Sequence, residues 1–246
     1  MIWFIIATLV AFFIKGLCGF AITLIFNGIL SYTANNINIS PLEVVLGYPS
    51  NIILVWKERK SLNWKIWLPL TALVVAGSIP GIFLLKHTDA GLLKVIFGIA
   101  VIVIGVEMLF REMKSNRESS NRKSGGSKLV LVLIGIISGL HCGLYGVGAL
   151  LAAYVSRVAE NSHEFKANIC VVFVVENTIR IILYVATGIL TLSVLKQVVI
   201  LIPFMLAAVF LGMKSSSVLN EKIIKKIVIV LLILSGIVLI INNIPG

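Results

Sequence analysis

Apolar residues run in long blocks along this chain, and polar residues punctuate them at short intervals. Eight stretches stand out, at about Ile2–Leu30, Leu42–Trp56, Ile66–Leu85, Leu92–Phe110, Leu129–Val155, Asn168–Leu190, Leu192–Met213 and Ile223–Ile241. Several match the ~20 residues that a helix needs to cross hydrocarbon. The gaps carry stop signals: Asn35-Asn36 with Ser40-Pro41, then Lys57-Glu58-Arg59-Lys60, then Lys86-His87-Thr88-Asp89. The longest polar stretch, Glu112–Lys128, is rich in Ser, Asn, Gly and charge, the composition of a flexible linker. The pattern predicts an all-α polytopic membrane protein, with a first membrane repeat over 1–111, a linker over 112–128 and a second repeat over 129–246.

The two halves resemble each other. Gly16-Leu17-Cys18-Gly19-Phe20-Ala21 aligns with Gly143-Leu144-Tyr145-Gly146-Val147-Gly148 at an offset of 127. Gly81, Asp89, Lys94 and Gly105 align with Gly212, Asn220, Lys225 and Gly236 at an offset of 131. An ordered series of matches predicts a duplication into two tandem four-segment repeats. Duplicated membrane proteins of this kind are often transporters.

Composition agrees with lipid as the solvent. Hydrophobic residues are 59% of the 246 positions, charged residues 13%, and the mean hydropathy is +1.08. The formal net charge of +11 comes from basic residues in short gaps, which fits loops at an anionic cytoplasmic leaflet and not a nucleic-acid surface. Cys18, Cys142 and Cys170 all lie inside apolar runs, so neither a disulfide framework nor a zinc spacing is expected. The start Met1-Ile2-Trp3-Phe4 lacks a basic n-region, so no removable signal peptide is expected. No P-loop occurs, and no cofactor or metal is expected.

Charge also constrains topology. Lys15 and Arg180 apart, 19 Lys and Arg residues lie in the gaps or near the ends of the apolar runs. If Leu129–Val155 enters and leaves by one side, 16 of them share a face and 3 take the other, which satisfies the positive-inside rule. Repeat symmetry extends the same re-entrant shape to Ile2–Leu30. An odd number of crossings per repeat would make the halves inverted. The expected location is the inner cell membrane, multi-pass, with 112–128 cytoplasmic.

Candidate chemistry gathers at mid-stretch positions. Glycines at Gly16, Gly19, Gly143, Gly146 and Gly148 either break their helices or let neighbouring helices approach closely. A break would expose N–H groups and a dipole end that attract an anion. Lys15 precedes the first glycine pair, and Glu176 and Arg180 stand i,i+4 beside Asn177. A charge at a helix centre costs at least about 2.5 kcal/mol on insertion scales, so it faces a cavity or a partner. Glu176 and Arg180 could neutralise each other structurally, or Arg180 could bind an anion while Glu176 tunes it or carries a proton. Pro49, Ser50 and Asn51 are expected to break the short second stretch and bring the Asn51 amide to the same cavity. His141-Cys142 carries no acid, oxyanion loop or metal spacing, so catalysis is not expected, and His141 is a candidate coupling group.

Two segments carry a family resemblance. The first is Phe13-Ile14-Lys15-Gly16-Leu17-Cys18-Gly19-Phe20-Ala21-Ile22-Thr23-Leu24. The second is Gly139-Leu140-His141-Cys142-Gly143-Leu144-Tyr145-Gly146-Val147-Gly148-Ala149-Leu150-Leu151, continuing into Phe165-Lys166-Ala167, Asn177-x-x-Arg180 and Tyr184-x-x-x-Gly188. The chain resembles the sulfite exporter TauE/SafE family, also called the toluene-sulfonate uptake permease family. Ala21 stands where that family usually has glycine, Asn27-Gly28 where proline is often found, and Lys15 is a further departure. The resemblance implies a permease for sulfite, sulfonates or other small organic anions.

The reading is therefore a secondary transporter of a small anion, a sulfur anion or a carboxylate. A passive anion channel of the same fold, or an intramembrane enzyme or assembly subunit, are the rival classes. Candidate substrate ligands are Lys15, Gly19, Asn51, Gly143, Tyr145, Gly146, Asn177 and Arg180, with Glu176 and His141 for coupling. Expected partners are a small anionic solute, the lipid bilayer, a proton or sodium ion and further copies of the chain in a homo-oligomer, but no nucleic acid. Single cysteines placed in Glu112–Lys128 and in Arg157–Lys166 should react with an impermeant thiol reagent from one and the same membrane face. Labelling from opposite faces would rule this topology out.

Overall fold

The computed structural model of the protein describes residues 1–30, 36–84 and 149–241, together with positions 99, 102, 103, 105, 106, 109 and 110. Helices over the described residues are α1 (Ile2–Cys18), α2 (Ile22–Leu30), α3 (Asn36–Glu58), α4 (Trp64–Leu84), α5 (Ala149–Val158), α6 (Ser162–Ala186), α7 (Leu192–Val218) and α8 (Glu221–Ile241). A 3-10 turn, Arg59–Ser61, joins α3 to α4. The protein is helical among the described residues, as a backbone in hydrocarbon requires. Among the described residues, three helices are long and apolar enough to cross a membrane: Ile39–Ser61, Ser162–Ala186 and Leu192–Val218. Ile182, Val185, Val199, Phe210 and Leu211 are each more than half exposed, a surface suited to lipid.

The first apolar stretch is not one helix. Gly19 takes φ 87° and closes α1 by donating its N–H to the Lys15 carbonyl at 2.7 Å. Ala21 follows at φ 77°, the one non-glycine residue with positive φ among the described residues. An L-residue pays for that conformation, which glycine adopts without penalty. The chain then reverses. Phe12 and Phe26 lie fourteen positions apart, about 21 Å in a straight helix, yet their ring centroids meet edge-to-face at 6.5 Å. So α2 runs back alongside α1.

Gly16 has a different role from Gly19. It lies inside α1, where α1 crosses α7 in the most extensive helix contact of the described fold. A Cβ on Gly16 would overlap the Val209 carbonyl oxygen, and one on Gly212 would overlap the Phe13 carbonyl oxygen. This pair is a small-residue crossing that brings two backbones together. Of the two readings open for the glycine motif, close helix packing applies to Gly16 and a break to Gly19.

Two expectations for the second stretch are corrected. Ser40-Pro41 does not stop a helix, and Pro49-Ser50-Asn51 does not break one, because α3 runs unbroken from Asn36 to Glu58. Pro41 and Pro49 both lie inside it. Beside Pro49, the Ser50 hydroxyl donates to the Gly47 carbonyl at 2.7 Å. The sixth stretch also begins earlier than expected. Asn161 caps α6 by accepting the Glu164 N–H at 2.9 Å, and Glu164 reaches back to the Glu160 N–H at 2.6 Å. Phe165-Lys166-Ala167 thereby becomes helix.

Polar contacts tie three chain segments together at one end. The Asn63 backbone donates to Asn168 Oδ1 at 3.0 Å, and its side-chain amide donates to Glu164 at 2.8 Å. His163 meets Glu58 at 2.8 Å, and Lys57 Nζ reaches the Met213 carbonyl at 3.2 Å. The 59–63 turn, the start of α6 and the end of α7 thus share this end. Exposed Lys57, Arg59, Lys60, Lys65, Lys214, Lys222 and Lys226 crowd it, whereas Lys196 stands at the start of α7. Trp56 and Trp64 are exposed here and carry Arg59 and Lys65 over their rings, as at a lipid headgroup boundary. Helices α3, α5 and α7 run toward this basic end, and α2, α4 and α6 run away from it.

The α1–α7 crossing generates a stability test. Gly212→Val should lower the thermal midpoint of the detergent-solubilised protein by an amount equivalent to about 1–3 kcal/mol of overpacking. Gly47→Ala, whose Cβ would make ordinary contacts at 3.6 Å, should not lower it.

Candidate functional site

Helix α6 carries Lys166, Cys170, Phe173, Asn177, Arg180 and Tyr184 at alternating spacings of four and three, which places them on one face. Helix α3 presents Ser40, Glu43, Gly47 and Asn51 in the same way. These faces meet, and the α1–α2 reversal adds Lys15 and Thr23. The result is a polar interior in an otherwise apolar bundle. Phe173 is the twelfth of the 25 residues of α6, so the centre of the site lies near the middle of that helix.

Four charged side chains are buried here: Lys15 at 2% exposure, Glu43 at 6%, Glu176 at 3% and Arg180 at 5%. Lys15 Nζ stands 5.0 Å from the Phe173 ring centroid, a cation–π contact. Among the described residues it has no hydrogen-bond or ion-pair partner, although it lies within electrostatic reach of Glu43 and Cys170. Arg180 is better held. One guanidinium nitrogen donates to Ser40 Oγ and to the Tyr184 hydroxyl, each at 2.9 Å, and those two oxygens lie 3.0 Å apart. Arg180 Nε faces Glu176 Oε1 at 3.6 Å, a charge pair beyond hydrogen-bond reach. That carboxylate oxygen has no hydrogen bond among the described residues.

The sequence-derived candidates are distributed unevenly. Lys15, Asn177, Arg180 and Glu176 come together around the α3–α6 contact. Asn177 Nδ2 stands 3.6 Å from where a Gly47 Cβ would lie, so a small residue at Gly47 makes room for it. Asn51 is buried two turns beyond Glu43 on α3, with its Oδ1 unpartnered among the described residues. Gly19 shapes the reversal, but its N–H is committed to the Lys15 carbonyl and is not free to hold an anion. Its carbonyl accepts the Cys170 thiol at 3.4 Å. His141, Gly143, Tyr145 and Gly146 lie outside the described residues.

Two residues of this region were not among the candidate ligands or coupling groups read from the sequence. Glu43 receives the Thr23 hydroxyl at 2.5 Å on Oε1 and feels the charges of Arg180 and Lys15. It was legible as a lone carboxylate near the start of an apolar run, but reading Ser40-Pro41 as a stop put it at a helix edge. Lys166, counted as a loop residue, is buried in α6, donates to Ser216 Oγ and packs against Gly19. Its signal was the i,i+4 spacing to Cys170.

Breaking the Arg180 pairing should be costly. Arg180→Met strands Glu176 and should cost about 3–5 kcal/mol, while Arg180→Met with Glu176→Gln should recover much of that. A double-mutant cycle on detergent-solubilised thermal midpoints reads the coupling, and additive effects would mean the two groups do not sense each other.

A family model described as "Sulfite exporter TauE/SafE" matches residues 4–239. Comparison with curated proteins and with solved structures gives no significant match. The family match spans α1 through most of α8 and so covers both the reversal and the buried charges of α3 and α6. By that match, this multi-pass helical chain belongs to the sulfite exporter TauE/SafE family, a family of membrane transporters of sulfur anions.

Proposed function

We propose that the protein is a secondary transporter of a small anion, with sulfite, a sulfonate or another organic sulfur anion foremost and a carboxylate next. One observation carries the reading: Lys15 is buried beside the helix reversal, at mid-height of α6, with no hydrogen-bond or ion-pair partner among the described residues. An ammonium in such surroundings is costly unless an anion joins it. Arg180 supplies a second cation, and the amides of Asn51 and Asn177 supply dipoles. Family membership supports the same substrate class.

The transport cycle fits two inverted repeats that open with re-entrant segments. The three pairs α2/α5, α3/α6 and α4/α7 run in opposite directions, as inverted copies would. The pairing of the 59–63 turn with the start of α6 at one end also favours a Leu129–Val155 segment that returns to its own side. Positive-inside bias makes the basic end cytoplasmic, with the 112–128 linker on that face of the inner membrane. Alternating access then rocks one repeat against the other around the buried charges, driven by an ion gradient.

Proteoliposome uptake of sulfite, thiosulfate, methanesulfonate and acetate tests the reading. The wild-type protein should give saturable flux for at least one of these anions. Lys15→Met, which keeps length and removes charge, should raise the half-saturating concentration about tenfold or more, the worth of one charge-assisted contact. Arg180→Ala should act in the same direction. Unchanged half-saturation in a folded Lys15→Met protein would remove Lys15 from the site.

A further inference from the structure

Around the middle of α6 the buried cluster contains as many carboxylates as cations, Glu43 and Glu176 against Lys15 and Arg180, while buried Lys166 near the start of α6 has buried Glu58 as its opposite charge. With all four ionised it is formally neutral, and adding a monoanion would leave one uncompensated negative charge in a low-dielectric interior. A transporter that binds an anion there must also bring in a positive charge. The two carboxylates differ in how they are held. Glu176 pairs with the guanidinium one helical turn away on its own helix. Glu43 is anchored through Oε1 to the Thr23 hydroxyl at the start of α2, while its buried Oε2 has no partner among the described residues. Two cations act on Glu43, Lys15 from α1 and Arg180 from α6. Glu176 of α6 is the further charged group in reach, and the two lysines of α7, Lys196 and Lys214, are exposed.

We propose that Glu43 is the proton-binding site that couples anion movement to protons, with Oε2 carrying one proton for each monoanion bound. This deepens the transport reading above and rests on it. When no anion is bound, the Glu43 carboxylate balances Lys15 and Arg180. When an anion arrives it takes over that balance, Oε2 gains a proton, and the new O–H donates to an oxygen of the anion. The proton leaves when the anion does, so the pair crosses together and the cluster stays neutral in both states. Glu43 is tied through Thr23 to the start of α2, so its protonation is felt at the α1–α2 reversal.

Sulfite and methanesulfonate uptake into proteoliposomes loaded with a pH-sensitive dye reads both fluxes at once. Wild-type uptake should acidify the lumen, and should weaken as pH rises, by up to about tenfold per pH unit where one proton is taken up per anion. In Glu43→Gln, which imitates the protonated group, anion flux should no longer acidify the lumen or depend on pH. Glu43→Asp should keep both. Methanesulfonate stays ionised throughout, and the protonation of sulfite affects all variants alike, so differences between them report on Glu43. Wild-type anion flux without lumenal acidification would overturn the proposal while leaving transport intact, and this measurement decides even if Glu43→Gln does not fold. Wild-type pH dependence retained in Glu43→Gln would overturn it as well. Absence of flux for every anion in the wild-type protein would overturn the transport reading, and the coupling with it.

Discussion

The cost of placing charge in an apolar slab governs this structure. Lys15, Glu43, Glu176 and Arg180 are all buried, and each would disfavour the fold if its neighbours were apolar. Their helices meet so that every charge has an opposite one within reach, yet the pairing is incomplete. Among the described residues, Arg180 has hydrogen bonds to Ser40 and Tyr184, whereas Lys15 has an aromatic face and Glu43 an oxygen without a partner. A purely structural cluster would gain by closing these gaps. Groups left partly unsatisfied in an apolar interior are where a polar solute gains most by binding.

Backbone conformation delivers the charges to one place. Had Ile2–Leu30 been a single straight helix, Thr23 could not lie beside Glu43 while α1 packs along α7. Gly19 and Ala21 in the left-handed region reverse the chain, and Gly16 lets α1 press against Gly212 on α7. Two glycines three residues apart thus do unlike work. One permits a turn that a side chain would resist, and the other permits two backbones to touch.

The extra-membrane end has its own logic. Asn63, Glu164, Asn168, Glu58 and His163 link the α3–α4 turn to the start of α6, surrounded by lysines and two tryptophans. This network holds α3 and α6 in a register that sets Glu43 and Gly47 opposite Asn177 and Arg180. Polar groups that water can reach therefore fix the positions of polar groups that it cannot.

Sequence alone determined the solvent, the helical class and the family, and it singled out Lys15, Glu176, Asn177 and Arg180, all of which the fold buries. Hydropathy over 20-residue runs and charge within them are local properties, so they can be read without coordinates. It also marked the 16–21 segment as unusual, although not which glycine turns and which packs, because that depends on what lies opposite: Lys166 for Gly19 and Gly212 for Gly16. Only the tertiary structure carried α3 through two prolines, drew Lys166 inside α6 and set Glu43 among the charges. A proline that reads locally as a stop is tolerated when a long helix gains enough contact along its length. A carboxylate likewise acquires meaning only from the cations that other helices bring to it.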